Sequence, residues 1–278
     1  MAVLLSLLAA ASYGLGDFIG GVSSKRSSAW SVAVIAQFGG SLVMLLISLI
    51  VPGSPTAADL WWAGAAGIAN GFGTAFLYRG LSSGRMGVVA PVSGVGTAVV
   101  PVALGLILGE RPSLVVWGGM LIAAPAIWLV SREAPDPASR PPGRSGFVDG
   151  VLAGLGFGTL FALLAQVQEG AGLAPLAFNE FIAGFAVIGV ALSMRADWLP
   201  RSGYAAFGVV SGVLGGVATL SFLLATHEGY LSVAAVLTSL YPAGTVILAA
   251  TVLREHIHRG QAWGLALCAV AIGLVAAG

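Results

Sequence analysis

Apolar residues run in ten long blocks along the chain, near residues 2–22, 30–51, 60–81, 88–108, 114–130, 148–168, 175–194, 205–225, 233–253 and 262–277. A spanning helix needs roughly 20 mostly apolar residues, so each block predicts one transmembrane helix, the fifth and tenth being short. Most intervals between blocks are too brief to fold as a domain outside the bilayer, which confines any chemistry to the bundle. The exception is Ser131 to Gly146, SREAPDPASRPPGRSG, whose four prolines and mixed charges predict a flexible linker.

The pattern on either side of that linker repeats. A shift of 145 positions lays Gly67, Gly71, Thr74, Gly84 and Glu110 on Gly212, Gly216, Thr219, Gly229 and Glu255. In a chain this rich in small apolar residues some matches come free, so the threonine pair, the glutamate pair and their common spacing carry the weight. The expected fold is an all-α polytopic membrane protein with ten transmembrane helices. It divides into a five-helix repeat over 1–130, a linker over 131–147 and a second five-helix repeat over 148–278. Five is odd, so the second copy enters the membrane in the opposite sense, giving inverted repeats with a site at their interface near the midplane.

Composition agrees with lipid as the solvent. Of the residues, 8% are charged and 58% hydrophobic, against about 25% and 45–50% in soluble chains. Forty-one glycines suit helices packed backbone to backbone. The formal net charge of +1 gives no pull towards nucleic acid. The single cysteine, Cys268, leaves no partner for an intramolecular disulfide. Met1 to Ala11 lacks the basic segment of a signal peptide and its apolar run continues to Val22, so a retained first helix is expected. Eleven of the twelve Lys and Arg residues fall on odd-numbered connections, Arg111 being the exception. The positive-inside rule then places odd connections in the cytoplasm and both termini outside.

Polar groups inside a bilayer are costly, roughly 2.5–3.5 kcal/mol for an Asp or Lys at a helix centre, which makes each one a candidate for function. Asp17, in Tyr13-Gly14-Leu15-Gly16-Asp17, lies about two thirds along the first helix. It reads either as a carboxylate alternately holding a proton and an amine-bearing substrate, or as an interfacial residue paired with Lys25 or Arg26. Glu180, beside Asn179, reads as a second such acid or as a hydrogen-bonded interfacial residue. At an offset of 142, Gln37 matches Asn179, and Gly14 and Gly16 match Gly156 and Gly158. Asn70, Thr74 and Tyr78 recur every four residues, which predicts either a polar stripe along a cavity or helix–helix hydrogen bonding. Pro91, Pro101 and Pro242 can bend the fourth and ninth helices. Ser93 and Thr97 there correspond to Thr238 and Pro242, with Tyr241 adjacent.

The substrate-binding candidates are accordingly Tyr13, Asp17, Asn70, Thr74, Ser93, Glu180, Thr219, Thr238 and Tyr241, with Pro91 and Pro242 as helix-bending positions. Gln166 and Gln168 are expected at an interface. Glu110-Arg111 and Arg254-Glu255 read as structural ends of the repeat. Glu255, His256 and His258 superficially resemble metal ligands but have no partner helix, so neither a metal nor another cofactor is expected. No phosphate-binding loop, dinucleotide fingerprint, nucleophile elbow or zinc-protease motif is present.

Gly109-Glu110-Arg111-Pro112, closing the fourth helix, resembles the Gly-Glu-Arg-like turn of the EamA-type ten-helix members of the drug/metabolite transporter superfamily. The second copy, Arg254-Glu255-His256-Ile257, keeps only the glutamate. The resemblance covers nearly the whole chain. It implies a single-chain carrier of small metabolites, often an exporter of amino acids or drugs, with its cavity between the halves. The small multidrug resistance proteins of that superfamily use a first-helix carboxylate to exchange proton for substrate, and Asp17 resembles it. EamA-type proteins are usually drawn with cytoplasmic termini, against the charge count here.

The expected function is a secondary transporter, in the exporting direction, working by alternating access and coupled to protons. Its partners would be a small molecule, the lipid bilayer of a bacterial-type inner membrane and protons, with no nucleic acid. The alternatives are a membrane-embedded enzyme, which would need a convergent nucleophile and base or a metal cluster, and a non-transporting scaffold or sensor.

Overall fold

The structure is a computed structural model that describes residues 1–24, 26–51, 53–82, 86–131, 144–252, 254 and 257–278, without the side chains of 81, 82, 86–88, 90, 91, 144–146 and 249. Among them there are helices and no strand. In order they are α1 (Ala2–Ser24), α2 (Ala29–Ser48), α3 (Ala57–Ser82), α4 (Met86–Ile107), α5 (Leu114–Val130), α6 (Arg144–Leu164), α7 (Ala174–Ser193), a 3₁₀ turn (Gly203–Phe207), α8 (Gly208–Glu228), α9 (Leu231–Thr238), α10 (Tyr241–Val252) and α11 (Arg259–Ala277). Each of the ten apolar blocks is helical over most of its described length. Most of the proline-rich linker, Ser139 included, lies outside the described residues, and α6 begins within the expected linker, one turn before its apolar run.

Among the described residues seven segments are long and apolar enough to cross a membrane: Ala2–Ser24, Ala29–Ser48, Phe147–Leu164, Ala174–Ser193, Gly203–Glu228, Leu231–Val252 and Arg259–Ala277. The shorter apolar helices are Val92–Ile107 and Leu114–Val130. Large apolar side chains such as Leu4, Leu46, Ile107, Leu121 and Trp263 cover the outside. The protein is an integral, multi-pass membrane protein.

The ninth span is discontinuous. Helix α9 stops at Thr238 and α10 starts at Tyr241, because Pro242 has no N–H to give the Thr238 carbonyl and its ring crowds that turn. The preceding turn tightens, with Leu240 N–H donating to the Leu237 carbonyl at 3.2 Å. The corresponding span α4 is continuous through Pro101; the side chain of Pro91 lies outside the described residues.

Polar pins fix which helix ends lie together. At one end, Thr56 and Asp59 form a capping box on α3, Thr56 N–H donating to Asp59 Oδ2 at 2.8 Å and Asp59 N–H to Thr56 Oγ1 at 3.3 Å. The Asp59 carboxylate also accepts from Gln168 N–H at 2.8 Å, and Val167, next to it, has its carbonyl held by His227 Nε2 at 2.9 Å. One peptide of the α6–α7 connection is thus clamped from α3 and from α8. Gln166 and Gln168 lie beyond the end of α6, in that connection.

Nearby, Gly109 adopts φ +95°, a left-handed turn that favours glycine, and brings Glu110 back onto α9. The Glu110 carboxylate accepts from Leu231 N–H at 2.5 Å, Ser232 N–H at 3.1 Å and Ser232 Oγ at 2.5 Å. It supplies the acceptors that the first turn of α9 lacks, and its charge suits that helix's positive end.

At the opposite end Arg79 pairs with Asp149, Nε to Oδ1 at 2.9 Å, and lies 4.5 Å from the Phe76 ring centroid. Ser28 Oγ donates to the Asp197 carbonyl at 2.6 Å. Together these pins make α1 and α3 end where α6 and α8 begin, and α4 end where α9 begins.

Packing repeats across the halves with the partners exchanged. Helix α3 packs on α6 and α7, and α8 on α1 and α2; α4 packs on α6, and α9 and α10 on α1; α5 packs on α11. The GxxxG faces explain the close crossings. A Cβ on Gly67 would sit 2.5 Å from the Asn179 carbonyl oxygen, and one on Gly71 would collide with that of Ala183. Likewise a Cβ on Gly212 would collide with the Ala36 carbonyl, and one on Gly216 with the Met44 methyl. This packing corrects the sequence alignment of α2 with α7. Ala36 plays the part of Asn179, and Gln37 therefore corresponds to Glu180, one residue from the match expected.

Candidate functional site

A central cavity of about 100 Å³ is lined by side chains from α1–α4, α6–α8 and α10. The α5/α11 pair contributes nothing to it. Its floor, towards the Glu110 end, is aromatic: Phe161 lines it and stacks on Phe222 at 4.1 Å, within a buried cluster that includes Leu160, Leu164, Leu176 and Leu231. Its polar lining spreads from mid-helix towards the Arg79 end.

Seven of the nine expected binding residues meet there: Tyr13, Asp17, Asn70, Thr74, Glu180, Thr219 and Tyr241. The four-residue spacing of α3 puts Asn70, Thr74 and Tyr78 on the cavity together, so the stripe both lines it and carries hydrogen bonds. Ser93 and Thr238 do not line it. Both are fully buried, because the α4/α9 crossing encloses them, and Thr238 Oγ1 reaches the Ser6 carbonyl at 3.5 Å. Pro242 acts indirectly, since the break before it sets where Tyr241 stands.

Two hydrogen-bond chains organise the wall. On one side Gln37 Nε2 donates to Thr74 Oγ1 at 3.2 Å, and Thr74 Oγ1 to Asn70 Oδ1 at 3.4 Å. On the other, Thr219 Oγ1 donates to the Gly215 carbonyl at 2.8 Å. Its proton is committed there, so in the 2.8 Å contact with Tyr13 the tyrosine hydroxyl is the donor. Tyr13 also stands 6.2 Å from the Tyr241 ring and 6.1 Å from Phe161.

Against this satisfied wall, Asp17 and Glu180 have no hydrogen-bond or ion-pair partner among the described residues, although Glu180 is only 4% exposed. Tyr13 is within electrostatic reach of both, and Tyr78 and Tyr241 of Asp17. Among the described residues no Lys, Arg or His lines the cavity. The interfacial pairing considered for Asp17 is not made by Arg26, which donates to Tyr204 Oη at 3.4 Å and lies 5.2 Å from that ring's centroid; Lys25 lies outside the described residues. A buried carboxylate facing a cavity without a counter-charge is costly unless a proton or a cation arrives.

Gln37, Thr97 and Ser211 were not among the nine, yet they line the cavity. The signal for Gln37 and Thr97 was their place in the repeat; Ser211, whose Oγ donates to the Gly16 carbonyl at 2.7 Å, had no such mark. Elsewhere, His258 opens α11, its N–H donating to Gln261 Oε1 at 3.1 Å. Glu255 and His256 lie outside the described residues. Among the described residues no group of three or more His, Cys, Asp or Glu is arranged to hold a metal.

A helical membrane bundle that encloses a polar, acidic cavity at mid-depth is the architecture of a membrane transporter. The family model of the EamA-like transporter family matches residues 1–132 and 144–277, and the chain belongs to that family, within the drug/metabolite transporter superfamily. A crystal structure of a protein 14% identical in sequence matches with a TM-score of 0.73, covering 98% of this chain and 95% of that one, which shows a shared fold. No curated protein matches the chain.

Proposed function

We propose that this EamA-family protein is a secondary transporter that exports a small amine-bearing metabolite or drug-like compound in exchange for protons. Two inverted repeats, 1–130 and 148–278, would alternate in exposing the central site. The observation that carries the reading is the pair of uncompensated carboxylates, Asp17 and Glu180, in one cavity that no basic side chain among the described residues lines. Proton and ammonium compete for the same two groups, so the site empties of one as it fills with the other. Where the outside is the more acidic, such competition drives the amine outward.

The antiparallel course of matching helices and the exchanged packing partners support the inverted repeat. The pins at the Glu110 end support a state sealed on that side and served from the arginine-rich end, which the charge count assigns to the cytoplasm. Among the described residues that line the cavity no serine or cysteine is paired with a basic group, so the lining gives enzymatic chemistry no support.

The test is flux in proteoliposomes with an amine, a neutral and an anionic solute of similar size, with and without an imposed pH gradient. Uptake of the amine alone, driven by an opposing proton gradient, is the expected result. Gradient-independent flux, or equal flux of the anion, contradicts it.

A further inference from the structure

Gln37 and Glu180 occupy the same place in the two halves. Gly67 and Gly71 pack against the backbone of Asn179 and Ala183, while Gly212 packs against that of Ala36 and Gly40; each GxxxG helix thereby sets the register of its partner. One step on from Ala36 and from Asn179 stand Gln37 and Glu180, both buried and both lining the cavity. The surroundings differ in a way that matches the difference in charge. Thr74 gives its proton to Asn70 Oδ1, and its oxygen accepts from Gln37 Nε2. At the equivalent position in the other half the place of Asn70 is taken by Gly215. Thr219 therefore gives its proton to a backbone carbonyl, and its oxygen is occupied by Tyr13. No Thr219 proton remains for Glu180, whereas the Gln37 amide is held by the protein itself.

We propose that Gln37 is a specificity-determining residue: by keeping an amide where the other half has a carboxylate, it limits the site to two acids and sets the charge of the cation accepted. A substrate ammonium would bind Glu180 and Asp17, while the carbonyl of Gln37, which accepts from no donor among the described residues, accepts a neutral N–H or O–H. This rests on the transport reading above. It predicts that charge selectivity follows the number of carboxylates and is indifferent to which half carries the one at this position.

The experiment compares uptake of propylamine and 1,3-diaminopropane into proteoliposomes containing wild type, Gln37→Glu, Glu180→Gln and the swap Q37E/E180Q, each checked for monodispersity. A third carboxylate should raise the diamine-to-monoamine ratio about tenfold, the effect of one added buried charge contact. Glu180→Gln should lower it, and the swap should return it to the wild-type value. Should Gln37→Glu misfold, the swap and Glu180→Gln still decide the matter, since a swap that behaves as Glu180→Gln alone overturns the proposal. An unchanged ratio in a transporting Gln37→Glu protein overturns it too, leaving the transport reading intact. Failure of the wild type to move either amine overturns the transport reading, and this inference with it.

Discussion

D17N/E180Q protein is expected to fold normally and to lose amine flux by at least about 100-fold, since removing one partner of a buried charge contact costs about 2–5 kcal/mol. Replacing both acids by amides keeps their shape and removes the charge. Neither side chain pairs with anything among the described residues, so no fold contact is broken. Stability should therefore stay the same or rise, because two uncompensated groups are no longer held away from water. Residual flux should also lose its response to a pH gradient. Each single variant should retain weak binding through the remaining acid, and comparing D17N with E180Q reports how the two share the task. Normal gradient-driven flux in the double variant would remove both residues from the mechanism.

The second large effect concerns packing, and it separates two glycines three residues apart. At Gly212 a Cβ would run into the Ala36 carbonyl and lie 2.9 Å from Gly40 N, so neither neighbour is a side chain able to turn aside. Gly212→Val should push α8 off α2 and destabilise the protein by about 1–3 kcal/mol or more, the usual range for overpacking. Its signature is a lower midpoint of thermal unfolding in detergent. Gly215 also lines the cavity, but a Cβ there meets nothing within 4 Å. Gly215→Ala should unfold with the wild type while reducing the affinity for bulky amines, because its methyl fills substrate space. Equal unfolding midpoints for the two variants would contradict the helix contact described here.

Much of this was legible along the chain because in lipid the same residues must satisfy both length and polarity. Ten apolar runs gave ten helical spans, and four-residue spacing put Asn70, Thr74 and Tyr78 on one face without knowledge of what they faced. Other features depend on partners distant in sequence. Ser93 and Thr238 have polar side chains near prolines, the expected mark of a site, yet the crossing of α4 over α9 buries both. Glu110 stood out as a repeated residue, but its acceptance from Leu231 and Ser232 requires knowing that α9 begins beside the end of α4. The equivalence of Gln37 and Glu180 emerged only from which carbonyl each glycine touches. The offset of 142 that pairs Gly14 and Gly16 with Gly156 and Gly158 favours Asn179 instead.

The central claim, that two inverted halves expose one site to each side in turn, is tested most directly by paired spin-label distances in protein lacking Cys268. One pair, Arg111 with Glu169, spans the halves at the Glu110 end; the other, Ser27 with Arg201, spans them at the Arg79 end. Moving from acidic buffer to alkaline buffer with saturating amine should lengthen one distance as the other shortens. Two distances that rise together, or that hold still while flux proceeds, would contradict the account.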